Sequence, residues 1–223
     1  MQKNALKIAL IFTTLFFVIL SIDIFFFKGD RFLFLVWNVL LSAIPFFLST
    51  IVLKMENLKS VSAKITKMVI GVIWFVFFPN APYLLTDLIH IETGKYIMIK
   101  NYKYFYNPSP TLWFDFFMII IAVMTGVLLG YFSLRTIHSI FENKSKIVGW
   151  LFVVFVSFAS GYGIYLGRFE RWNSWEVFMR PEILVKNIFK SVDPLTFRLV
   201  TIFGFLWLFI YIALFVISNF RKN

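Results

Sequence analysis

Asp87 and His90 stand three residues apart in 84–91, and a helix there sets a carboxylate and an imidazole on one face. Such a pair can begin a metal site, with Asp115 or Glu170 as a third ligand, or move a proton through an imidazole that ordinarily titrates near neutrality. Two ligands do not make a metal centre, and a histidine bonded to a neighbouring acid is the commoner arrangement, so no metal and no other cofactor is expected. Arg168 and Arg171 flank Glu170. A planar guanidinium can grip phosphate or carboxylate at two points. The same arginines, near a helix C-terminus and beside Trp172 and Trp175, can equally serve the helix dipole and the membrane interface, or fasten loops by pairing with Asp115 or Glu170. Asp115, after Ser109-Pro110, reads as a first-turn carboxylate favoured by the dipole, or as a member of the same site. His138 lies in a basic stretch and reads as solvated.

Other chemistry is missing from the chain. It carries no P-loop, no Gly-x-Ser-x-Gly elbow, no His-Glu-x-x-His and no dinucleotide fingerprint. There is no internal repeat of the kind found in transporters with inverted halves. The lack of cysteine excludes disulfides, thiolate ligation and thiol nucleophiles. Whether the protein is an enzyme stays open at this level.

The elements that must position these groups are apolar. Residues 8–27, 32–53, 68–86, 116–134, 147–167 and 199–220 contain no Lys or Arg and, among acids, only Asp23. About 20 apolar residues at 1.5 Å rise span a hydrocarbon core of about 30 Å. With 60% hydrophobic, 21% aromatic and 15% charged residues and a mean hydropathy of +0.83, the chain has far fewer charges than the roughly one quarter of a soluble domain. The expectation is an all-α polytopic membrane bundle of six transmembrane helices, about 8–27, 32–53, 68–86, 112–134, 147–167 and 196–220, forming one integral membrane domain over 1–223. Lys3 and Lys7 ahead of an apolar run resemble a secretory signal, but the run continues to Phe27 without an Ala-x-Ala site, so a retained anchor helix is expected.

Six spans put both termini on one side. Lys and Arg divide equally between the two sets of connections, 11 in each, whereas nine of the 11 acids fall in 28–31, 87–115 and 168–198 or, in the case of Asp23, in the turn flanking them. The densely basic loops 54–67 and 135–146 therefore mark the cytoplasmic face, together with both termini. The net charge of +11 resolves on this map to +9 inside and +2 outside. It suits anionic lipid head groups, not nucleic acid.

Within the spans, Pro79 and Pro82 each remove a backbone donor and disfavour helix in the residue before, so the third span is expected to break at Pro79/Pro82, around Asn80. Carbonyls freed there need partners in protein or trapped water. Pro45 is expected to kink the second span, with Asn38 one to two turns away. Gly126 with Gly130, and Ser157, Gly161, Gly163 and Gly167, have small-xxx-small spacing. That spacing fits close helix packing or, alternatively, a bare groove for a substrate. In 168–195 short interfacial helices are expected. Asn173 and Glu176 fit a capping box, Glu182, Lys186 and Lys190 repeat every four residues, and Asp193-Pro194 reads as cap and first turn of the last span.

The run Phe78-Pro79-Asn80-Ala81-Pro82-Tyr83-Leu84-Leu85-Thr86-Asp87-Leu88-Ile89-His90, then Trp113-Phe114-Asp115, Gly126-x-x-x-Gly130-x-x-Ser133-Leu134 and Tyr165-Leu166-Gly167-Arg168-Phe169 leading into Arg171-Trp172-Asn173-Ser174-Trp175, resembles a family of bacterial membrane proteins catalogued as domain of unknown function 1361. The likeness runs from about residue 35 onward. It implies an integral membrane protein and no particular chemistry.

These readings converge on an outward-facing polar pocket of Asn80, Asp87, His90, Asp115, Arg168, Glu170, Arg171 and Asn173 in a bacterial cytoplasmic membrane protein. Its expected ligand is an anionic envelope molecule or lipid head group, transported or modified there. The alternative is a non-catalytic accessory subunit whose aromatic faces dock a partner membrane protein.

Overall fold

Lipid offers no hydrogen bond to a peptide group, so chain that crosses it closes its own bonds as helix. The computed structural model describes residues 2–22, 32–100, 102–183 and 193–220. Over these the order is α1 (Gln2–Ile22), α2 (Leu33–Lys54), α3 (Val61–Phe77), α4 (Asn80–Tyr83), a 3-10 helix (Leu84–His90) and α5 (Thr93–Tyr96). There follow a hairpin of β1 (Ile97–Lys100) and β2 (Lys103–Tyr106), then α6 (Pro110–Glu142), α7 (Lys146–Arg168), α8 (Glu176–Met179) and α9 (Pro194–Phe220). Five segments, Leu33–Lys54, Val61–His90, Pro110–Glu142, Lys146–Arg168 and Pro194–Phe220, are long and apolar enough to cross a membrane. The apolar part of α1, Leu10–Ile22, is shorter. The architecture is that of a helical, multi-pass membrane protein.

Helix α6 lies at the centre, with α1, α2 and α7 against it, α3 on α2 and α9 on α7. One buried cluster joins Trp74, Phe78, Leu134, Val153, Trp207 and Tyr211; a second joins Phe16, Leu35, Val39, Leu84, Met118 and Ile119. Ser133 ties three helices, accepting from Trp74 Nε1 and donating to the Pro45 carbonyl, each at 2.8 Å. Large apolar side chains such as Phe205, Phe209 and Ile217 on α9 are exposed. Lipid leaves such side chains where water would drive them inward.

Around the prolines three short helical pieces follow one another, and Phe78 and Pro79 keep right-handed angles (φ −57°, ψ −38° and φ −56°, ψ −23°). Helix α2 runs from Leu33 to Lys54 with Pro45 inside it. Helix α9 starts as its sequence prescribes: Asp193 Oδ1 accepts from the amides of Leu195 (2.7 Å) and Thr196 (3.1 Å), and Oδ2 accepts from the Thr196 hydroxyl (2.7 Å). The Thr196 bonds, hydroxyl first, hold the Asp193 carboxyl below the usual carboxylate range.

Four expectations need correction. Helix α6 does not stop before Arg135 but reaches Glu142, because a charged residue does not end a helix and nothing in the sequence breaks this one earlier. His138 is therefore on a helix and fully buried, not solvated. Asp115 lies beyond the first turn, since Ser109 is the N-cap and Pro110 the first helical residue. Helix α8 is capped at Trp175, not Asn173; only the return arm of the capping box forms, with Glu176 Oε2 accepting from the Asn173 amide at 2.7 Å. Lys186 and Lys190 lie outside the described residues.

Candidate functional site

Asp87 is fully buried in the 3-10 helix, where an isolated carboxylate would be costly. It is matched from two other elements. Asn38 Nδ2 of α2 donates to Oδ2 at 2.8 Å, and Arg168 Nη2, at the last residue of α7, donates to Oδ1 at 2.5 Å. Arg168 Nε also donates to Thr86 Oγ1 at 3.0 Å, and its guanidinium lies over the Tyr83 ring at 4.4 Å. A chain of polar contacts thus joins α2, α4, the 3-10 helix and α7.

Beside this junction is a cavity of about 350 Å³. Its apolar wall includes Leu41, Phe75, Val76, Pro79 and Leu166, and its polar groups include Asn38, Asn80, Tyr83, Asn173 and Ser174. Gly163 and Gly167 of α7 let that helix pack closely on Pro79 and Tyr83 at the cavity wall: a Cβ on Gly163 would stand 2.6 Å from Pro79 Cβ, and one on Gly167 3.2 Å from Tyr83 Cε2. Asn80 Nδ2 donates to Phe77 O and to Ser174 Oγ, each at 2.8 Å, and so pins the segment after α7 onto α4. Trp37, which also lines the cavity, meets Trp175 edge-on, ring centroids 5.9 Å apart.

The eight residues expected at one site separate into groups. Asn80 and Asn173 line the cavity; Asp87 and Arg168 stand behind it, bonded to or stacked on the lining Asn38 and Tyr83. Glu170 is exposed and accepts from Tyr165 OH at 3.1 Å. Arg171 is exposed, with φ at 57°. His90 is exposed and packs on Phe34, centroids 4.8 Å apart, away from the Asp87 carboxylate's bonds. Asp115 is buried on α6; its charge acts on Tyr96, whose phenol is pushed up by burial first and then by Asp115 and Glu92, against Lys95. Among the described residues no three His, Cys, Asp or Glu side chains gather as a metal site.

Residues 37–210 match the model of a protein family of unknown function, DUF1361. The chain belongs to that family. No curated protein and no solved structure matches it. The matched region of this DUF1361 protein contains every residue that lines the cavity, from Trp37 to Val177, and leaves out α1.

A second polar cluster of the DUF1361 chain surrounds His138. Its Nδ1 is 2.7 Å from Tyr211 OH, its ring meets Trp150 and Phe215, and its Nε2 is buried with no partner among the described residues. Nearby, Arg135 Nη1 donates to Glu142 Oε2 at 2.8 Å and its guanidinium lies 5.0 Å from the Phe215 ring centre. The signal for it is present in the sequence as helical spacing: Leu134, Ile137, Ile140 and Phe141 continue the apolar stripe past Arg135.

Proposed function

We propose that this protein binds the head group and upper chain of an amphipathic envelope lipid in the cavity between α2, α3–α4, α7 and the segment leading to α8. In this reading it is a single six-span domain of a bacterial cytoplasmic membrane, with both termini on the side of the basic loops and the cavity at the outer face. The observation that carries the reading is the cavity's two-sided wall. The polar residues Asn38, Asn80, Tyr83, Asn173 and Ser174 line a space that is otherwise bounded by Leu41, Phe75, Val76 and Leu166. Ligand pockets typically hold about 300–1,000 Å³ and combine an apolar lining with a few placed polar groups.

The charge balance refines the ligand. Arg168 is already matched by Asp87 and Thr86, so the inner wall presents hydrogen bonds, not a free cation. A negative charge on the head group is better placed at the rim, near Arg171, which precedes the lining Trp172. Each amide contact to a head group is worth about 1 kcal/mol net.

The test is native mass spectrometry of protein extracted in mild detergent. Wild type should retain one lipid class at near-unit occupancy. Ala159 of α7 also lines the cavity; Ala159→Phe, which places a ring there, should abolish retention, and Asn173→Ala should lower it about fivefold, with helical content and melting temperature preserved. Retention of the same lipid by Ala159→Phe would sink the reading, and a co-purified membrane protein lost with these variants would favour an accessory subunit.

A further inference from the structure

The hairpin between α5 and α6 is an element with no role in the cavity. Its antiparallel register pairs Ile97 with Tyr106, Met98 with Phe105, Ile99 with Tyr104 and Lys100 with Lys103. Side chains alternate between the two faces of a strand. Ile97, Ile99, Tyr104 and Tyr106 therefore share one face, and Met98, Phe105, Lys100 and Lys103 the other. All eight are exposed, Ile99 at 70% and Tyr104 at 77%. Neither face of this small ribbon is covered, although both are rich in large apolar side chains.

Its charge is equally uncompensated. Like charges directly opposite across a strand pair repel, and among the described residues neither Lys100 nor Lys103 has a carboxylate partner. Lys95 differs, being paired with Glu92 at 2.7 Å. The root of the hairpin is fixed to a membrane helix. Asn107 N donates to Tyr96 O at 2.9 Å, Trp113 Nε1 to Asn107 O at 2.9 Å, and Tyr96 OH to Leu112 O at 3.0 Å. Tyr96, Trp113 and Phe116 meet edge-on at the start of α6. Tyr and Trp gather at the membrane–water boundary because their rings are apolar and their polar tips are not.

We propose that the hairpin stands in the head-group layer of the surrounding bilayer, where Lys100 and Lys103 together hold the phosphates of anionic phospholipids. A protein partner would cover one face of the ribbon and leave the other in water. Head groups surround both faces at once, and they supply the negative charge that two facing lysines need. The hairpin is thus a binding surface for anionic lipid, independent of what the cavity holds.

The absence of cysteine makes the test direct. The full chain carrying Ile99→Cys with a nitroxide label is reconstituted in nanodiscs of phosphatidylcholine alone or with about one third phosphatidylglycerol. Power-saturation EPR then reads access to oxygen and to a water-soluble nickel chelate. With phosphatidylglycerol the label should be reached by oxygen and shielded from nickel. The double variant Lys100→Glu, Lys103→Glu should shift the immersed-to-exposed ratio by more than roughly thirtyfold at low salt, since thirtyfold is expected for the loss of about two lysines near an anionic surface and the two carboxylates add repulsion. Circular dichroism and the melting temperature should stay unchanged, because both lysines are exposed. A label equally open to nickel in both lipid mixtures would overturn the proposal, as would shielding that survives the charge reversal.

Discussion

Asp87 accepts from Asn38 and Arg168, and removing either donor asks different things of the protein. Arg168→Ala leaves a buried carboxylate without its counter-charge, and loss of one partner of such a pair costs about 3–5 kcal/mol. The expected result is a markedly lower melting temperature in detergent. Arg168→Lys should fall between, because an ammonium keeps the charge but cannot bond Thr86 and Asp87 as a fork. Equal stability of Arg168→Ala and wild type, measured by thermal unfolding, would show that the pair fastens nothing. The ionisable members were legible in the sequence as polar residues at the edges of apolar runs. Their pairing was not, since Asp87 and Arg168 are 81 residues apart and meet only through the way α7 crosses the 3-10 helix. Asn38, a lone amide inside an apolar run, was visible as an oddity without a partner.

Among the elements, α6 shows what small residues do. A Cβ on Gly130 would stand 2.9 Å from Ala81 Cβ and 2.8 Å from Trp207 Cη2, whereas one on Gly71 meets nothing within 4 Å. Gly130→Val should therefore cost about 1–3 kcal/mol by overpacking. Gly71→Ala should be neutral or gain up to about 1 kcal/mol by helix propensity. Parallel melting curves check the contrast. The helices themselves were readable because apolar runs of membrane length leave little choice of backbone. The hairpin was not, because 97–106 alternates Ile, Met, Tyr, Phe and Lys with no one-sided pattern. A strand pair immersed on both faces has no reason to show one. The buried His138 escaped for a related reason: Arg135 looks like the edge of a loop, although the apolar stripe continues beyond it.

For the whole molecule the open quantity is its orientation in the bilayer. The charge asymmetry argues for basic loops inside, and single cysteines in the cysteine-free chain can read it. Glu182→Cys, exposed and outside the hairpin, should react with a membrane-impermeant maleimide on intact cells, and Lys59→Cys only after lysis; the reverse pattern would move the cavity to the cytoplasmic face. The junction at Asp87 has one more implication, for the order in which the bundle is made. The ribosome delivers Asp87 long before Arg168, and until α7 enters the bilayer this carboxylate has only Asn38 for company. It must remain near water during that interval, so arrival of α7 is the step that lets the segment Val61–His90 seat fully.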